Sequence, residues 1–321
     1  ATLWNGMGLR VIPTASPEPC TSPFDDIAVL TDPLAVLLRF ALYVVLSLMF
    51  GLLAFRQYSP APTRLAGRQV ITAMAAFALL LSGIGLVELA ARMHGLGLAE
   101  VGLAEVATIL SLPGLGNAFG ARIAALLATI AVMAIRPGRG RIALMLSGVA
   151  LVCLAWQGHA GATEGRAGLG HLLATALHLL AAGIWLGALV MFLVMSTRAQ
   201  TSEIDRGTLV AFLMRFHGVG TMVVATLALT GSVALLMIAG WPLPASAFQS
   251  PWGWLLALKL VVFVAMLGLA AVNRFRLAPG LAAGQAHAVQ WIRCSIALEL
   301  ALGVFILALV AWLGLLAPDP G

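Results

Sequence analysis

HLLATALHLLAAGIWLGALVMFLVM, His171 to Met195, is the stretch that decides the fold. It contains no Asp, Glu, Lys or Arg and exceeds the roughly 20 residues a helix needs to cross a bilayer. At about 3.6 residues per turn, His171, Thr175, His178, Ala182 and Trp185 share one face, so an otherwise lipid-compatible helix shows two imidazoles and an indole to one neighbour. Ionisable groups are costly inside a membrane and turn toward a bundle interior or a wet cavity. The stripe therefore predicts a helical bundle with a functional position at His178, the rival being a buried structural hydrogen bond.

The rest of the chain supports a bundle. Of 321 residues, 61% are hydrophobic and 9% charged, against about 25% charged in an ordinary soluble domain, and the mean hydropathy is +1.03. The net charge of +6 lies in short clusters between apolar runs rather than in one basic stripe, which argues against nucleic acid and for a role in orienting spans. Cys20, Cys153 and Cys294 are far apart and form no CxxC pair, so neither a disulfide framework nor a zinc finger is expected. Cys153 is read as a small buried hydrophobe.

Working outward from the fifth span, the sequence predicts an all-α polytopic membrane protein of eight transmembrane helices. The expected spans are 34–55, 70–91, 119–135, 142–156, 171–195, about 213–239, about 252–273 and about 294–316. Residues 1–33 form a polar, Pro-rich leader, 34–316 the membrane domain and 317–321 a short tail. The portion 99–112 is too short and, with Glu100 and Glu105, too charged to span; it fits a surface helix. RPGRGR at 136–141 closes a helical hairpin, QGHAGATEGRAGLG at 157–170 is a loop, 198–207 is a polar linker, and a segment with an interfacial Trp at each end, Trp241 and Trp252, enters the seventh span.

Arginine asymmetry gives an orientation. Arg56, Arg64, Arg68, Arg136, Arg139, Arg141, Arg198, Arg206, Arg215, Arg274, Arg276 and Arg293 fall on one side, whereas Arg10, Arg39, Arg92, Arg122 and Arg166 fall on the other. The richer side is expected in the cytoplasm, with both termini on the outer, periplasmic side. The acidic leader, Glu100, Glu105, Glu164, His94, His159 and His171 are then at or near the outer face.

Three sets of residues are candidates for chemistry. His159, His171 and His178 gather at the outer mouth, and imidazole suits copper, zinc, nickel and iron. His171 and His178 are roughly 10 Å apart along a regular helix, so either the helix begins after His171 or the two are successive positions on a path. Met191 and Met195, with Met214, His217 and Met222, would supply a soft relay suited to Cu(I), or ordinary packing. Glu88, Lys259 and Glu299 are charges within spans; from their depths a Glu88–Lys259 pair is expected, and Glu299 is expected to meet His217 or to face water near Arg215 or Arg274. No GxxxxGK[ST], HExxH or GxSxG motif occurs, and a non-enzymatic protein is expected.

With these residues in place, the chain resembles the copper resistance D (CopD) family of bacterial inner-membrane proteins. The matching stretches are DPLAVLLRF from Asp32, GHA from Gly158, HLLAAGIWLGALV from His178, RFHGVG from Arg215, LKLVVF with Lys259, NRFRLAP from Asn273 and LELALG with Glu299. The resemblance implies copper import, homeostasis or resistance at the inner membrane, with copper moving from periplasm to cytoplasm and a CopC-like periplasmic chaperone as donor. The expected route is capture by His159 and His171, passage by His178, and descent between the fifth and sixth helices past methionines toward His217 and Glu299. The alternative is a haem b electron carrier of cytochrome b561-like type, which needs a second imidazole, His159 or His94, at the depth of His178. A metal-sensing scaffold is a third possibility.

Overall fold

A computed structural model of the protein describes residues 32–58, 67–136, 138–163, 165–200, 202–240 and 250–316. The Pro-rich leader before Asp32, Arg64, Glu164, Trp241 with most of the segment that follows it, and the tail 317–321 lie outside the described residues. Eight helices are long and apolar enough to cross a membrane, and no strand occurs among the described residues.

The spans are α1 (Pro33–Tyr58), α2 (Arg68–His94), α4 (Leu115–Ile135), α5 (Gly140–Val152), α7 (Gly165–Arg198), α8 (Glu203–Ala239), α9 (Pro251–Val272) and α11 (Ala288–Leu313). Shorter helices are α3 (Leu103–Ser111), α6 (His159–Ala162) and α10 (Ala278–Ala282). A 3-10 segment, Cys153–Gln157, prolongs α5, and a π-helical turn, Asn273–Leu277, joins α9 to α10.

Helix ends depart from the sequence expectation where polar residues act as caps. The 198–207 linker shrinks because Ser202 accepts a hydrogen bond from the Asp205 N–H (3.2 Å), with Glu203 and Asp205 in the first turn of α8 where the helix dipole favours them. The glycine-rich 157–170 segment is largely helical, since α6 lies within it and α7 starts at Gly165. His171 therefore stands inside a regular helix, so the alternative in which the helix begins after His171 does not hold. At α9, Ser250 accepts from the Gly253 N–H (3.1 Å) and Pro251 sits where its missing N–H costs nothing. Trp252, in the first turn of α9, is 5% exposed and packed with Leu309, Leu313 and Leu316.

The tightest contact joins α1 to α7. A Cβ on Gly51 would lie 2.0 Å from the Gly183 carbonyl oxygen, and one on Gly187 would lie 2.3 Å from the Gly51 carbonyl carbon. Close helix approach through small residues four apart is the usual source of stability where lipid offers no hydrophobic drive.

Polar pins close the end of the bundle that carries His159. Arg39 of α1 donates to the Gly314 carbonyl (2.8 Å) and to the Gln157 carbonyl, and Arg122 of α4, wholly buried, donates to the Gln157 side-chain oxygen (3.1 Å). Arg122 also lies 4.4 Å above the Phe119 ring. Below them, α3 lies outside the bundle with Leu103 89% exposed and only Ile109 buried, as a surface helix requires. At the opposite end, Arg56, Arg139 and Arg141 surround one crevice and Arg293 donates to Gln200 (3.2 Å).

Candidate functional site

Two connected chambers descend from the histidine end. The upper, about 210 Å³, is lined by Arg39, His159, His171, His178 and Lys259; the lower, about 280 Å³, shares His178 and Lys259 and reaches Trp185, Phe263 and Met266. Among the described residues, no carboxylate lines either chamber.

Hydrogen bonds fix the proton on each imidazole. The Thr230 hydroxyl donates to the Thr226 carbonyl (2.6 Å), so at 2.9 Å from His178 Nδ1 it accepts, leaving Nε2 with its lone pair. Gly231 lies against this ring, at ordinary van der Waals distance for a Cβ placed there (3.6 Å). Thr163 stands in the same relation to His171, its hydroxyl 3.1 Å from the His159 carbonyl and 3.1 Å from His171 Nδ1. His159 Nε2 donates to the Leu316 carbonyl (3.2 Å), leaving Nδ1 as its free nitrogen. An N–H anchored on protein oxygen with the opposite nitrogen free is how metal-binding histidines are held. Burial lowers the His159 pKa below the ordinary histidine value, and nearby Arg39 lowers it further against the raising effect of the Leu316 hydrogen bond. The neutral, ligating form is thereby favoured.

A third cavity, about 280 Å³, opens toward the arginine-rich end between α8 and α9, and its polar lining includes His217, Thr221, Asn273, Arg274 and Glu299. Glu299 is 2% exposed; it accepts from Trp185 Nε1 at 2.6 Å and from Asn273 Nδ2 at 2.9 Å. The π-helical turn at Asn273 adds a residue to the end of α9 and brings that amide to Glu299, whereas the next residue, Arg274, turns out to donate to Thr221 (2.7 Å).

Comparison with known proteins fits this arrangement. Residues 30–169 match the family description "Copper resistance protein D-like, N-terminal domain", and residues 210–313 match "Copper resistance protein D". The chain is 36% identical over 304 residues to "Copper resistance protein D" of Pseudomonas syringae pv. tomato, covering 90% of this chain and 98% of that protein. The chain belongs to the copper resistance protein D family. It is also 26% identical over 290 residues to "Inner membrane protein YebZ" of Escherichia coli K12, covering 88% of this chain and 98% of the relative. No solved structure matches.

In this member of the copper resistance protein D family, the sequence candidates separate into groups. His159, His171 and His178 line one chamber, yet among the described residues no three His, Cys, Asp or Glu side chains are close enough to hold one metal ion together. Met191 is wholly buried and Met195 8% exposed, both in the apolar core, while Met222 is 72% exposed on the outer side of α8. The thioether that lines the lower chamber is that of Met266, which sequence spacing did not single out. Cys153 is buried and Cys294 exposed.

Two expected pairings are corrected. Glu88 does not meet Lys259: it pairs with Arg92 one helical turn away (3.2 Å), a local partner that needs no second helix. Glu299 does not bond His217, because the Trp185 and Asn273 donors occupy the carboxylate; of the two expectations it is the cavity near Arg274 that it faces, with His217 on the same lining. Nothing found supports a haem: His94 lines neither histidine-end chamber, its Nδ1 being turned to the Ala90 carbonyl of its own helix (2.9 Å), and the families matched are named for copper resistance.

Proposed function

We propose that the chain carries copper across the inner membrane, taking it up in the histidine-end chambers and delivering it toward the cavity of His217 and Glu299. The observation that supports this reading is common to His159, His171 and His178: each has one ring nitrogen hydrogen-bonded to a protein oxygen and the other left for a ligand. Imidazole nitrogen suits copper, and Met266 adds a soft sulfur lower down. Because the candidate ligands among the described residues are separate rather than clustered, binding at each step is weak enough to permit onward movement.

The chain is a multi-pass inner-membrane protein. The arginine count supports a periplasmic histidine end and cytoplasmic delivery, and a CopC-like periplasmic chaperone would dock at the His159 mouth. Copper bound per purified protein, compared between His178→Ala and the parent, tests uptake. A clear loss of affinity is expected, and unchanged stoichiometry and affinity would remove His178 from the route.

A further inference from the structure

The lower histidine-end chamber and the arginine-end cavity share Trp185 and no other lining residue. The two histidine-end chambers, by contrast, share His178, Ala182, Lys259 and several apolar neighbours, so they form one continuous space. Among the described residues, then, Trp185 is the one side chain that borders both the compartment open at His159 and the compartment open at Arg274.

We propose that Trp185 is the gate between two half-channels and that Glu299 is its latch, an inference that rests on the copper-transfer reading for its purpose though not for its geometry. The indole is 6% exposed, large enough to fill the neck, and edge-on to Phe263 at 6.2 Å between centroids, 69° between planes. Its N–H is held at 2.6 Å by the Glu299 carboxylate, which Asn273 holds in turn from the other oxygen. A hydrogen bond to a carboxylate at that length is a strong one, and it draws the ring toward the arginine end. On the other side the space is open: Ala182, one turn before Trp185, is small and lines both histidine-end chambers, leaving room for the indole to swing when the latch is released. A cation that reaches Glu299 competes with the indole N–H for the same oxygen. The gate therefore opens in response to positive charge at the neck and recloses when the charge leaves.

The test uses the full chain in oriented membrane vesicles with Cys20, Cys153 and Cys294 replaced by Ser, and contains no copper. Ala182→Cys reports the histidine side of Trp185 and Ala271→Cys the arginine-end cavity. With Trp185 present, a membrane-impermeant methanethiosulfonate is expected to modify each cysteine from its own face alone. Trp185→Ala should raise the rate from the opposite face at least about ten-fold. Trp185→Phe, which preserves the packing and loses the N–H, should raise it by a smaller factor and serves if the alanine variant does not fold. Equal modification from both faces with Trp185 present, or an unchanged opposite-face rate in either variant, overturns the gate. Failure here leaves copper binding at His178 standing, and failure of that binding leaves the gate standing.

Discussion

The best membrane-spanning window of α7 is 67% buried and that of α1 is 50% buried, whereas those of α8 and α9 are each 17% buried. All four are apolar enough to cross a bilayer, so hydropathy does not account for the contrast. In α1 and α7, Gly51, Gly183 and Gly187 bring the two backbones into contact. By contrast, α8 packs chiefly on α7 and α9 chiefly on α11, with little contact between them, and the cavities of His178 and Glu299 lie along that gap. Stability is thus concentrated in one half and accessible polar groups in the other. Helix α7 belongs to both, holding Gly183 and Gly187 on one face and His178 and Trp185 on another. Few buried contacts are what segments that move require.

The contrast breaks most visibly at Gly187. Gly187→Leu places side-chain atoms where Gly51 backbone now lies, and loss of folded protein in size-exclusion chromatography is expected. Met222→Leu on the outer side of α8 should leave thermal stability within about 0.5 kcal/mol of the parent. Similar losses in both would remove the distinction between the halves.

A smaller effect, confined to the cavity half, is expected of Thr230→Val. It removes the acceptor that orients His178 while keeping the side-chain volume, and copper affinity should fall about 10- to 100-fold with little change in melting temperature. Isothermal titration with Cu(I) under a competing chelator would measure it, and full retained affinity would show that orientation of the ring does not matter.

Acidification should act more gently. The folded pKa of His159 is depressed by burial, so the folded protein holds this ring neutral while the unfolded chain takes up its proton near the ordinary value of about 6.5. Its contribution is present above that value and is lost as pH falls below it through the depressed folded value, and proton competition with a metal acts in the same direction. Copper affinity measured from pH 8 to pH 5 should therefore decline on the acid side, and His159→Gln should flatten part of that slope.

The smallest effect belongs to the surface helix. Hydrogen bonds from the backbone N–H groups of Glu105 and Gly102 hold the Glu105 carboxyl below the ordinary carboxylate value. Glu105→Ala should speed amide exchange in α3 and leave copper binding unchanged. A change in copper binding would tie α3 to the cavity half.

The sequence by itself determined the eight spans, the surface position of α3 and the stripe of His171, His178 and Trp185 on α7, because bilayer thickness and helical period act on consecutive residues. Partners were a different matter. Depth along the chain suggested Glu88 with Lys259 and Glu299 with His217, but the fold joined Glu88 to Arg92 and Glu299 to Trp185 and Asn273. The π-helical turn that brings in Asn273 shifts the helical register by one residue, and nothing in NRFRL announces that shift. Thr230 and Met266 acquired their places in the same way, and Met222 its outward position, since rotation of each helix about its axis is set by contacts with its neighbours. Burial from water follows from local composition, whereas the choice of side chain facing side chain depends on helix rotation and crossing, which tertiary packing alone decides.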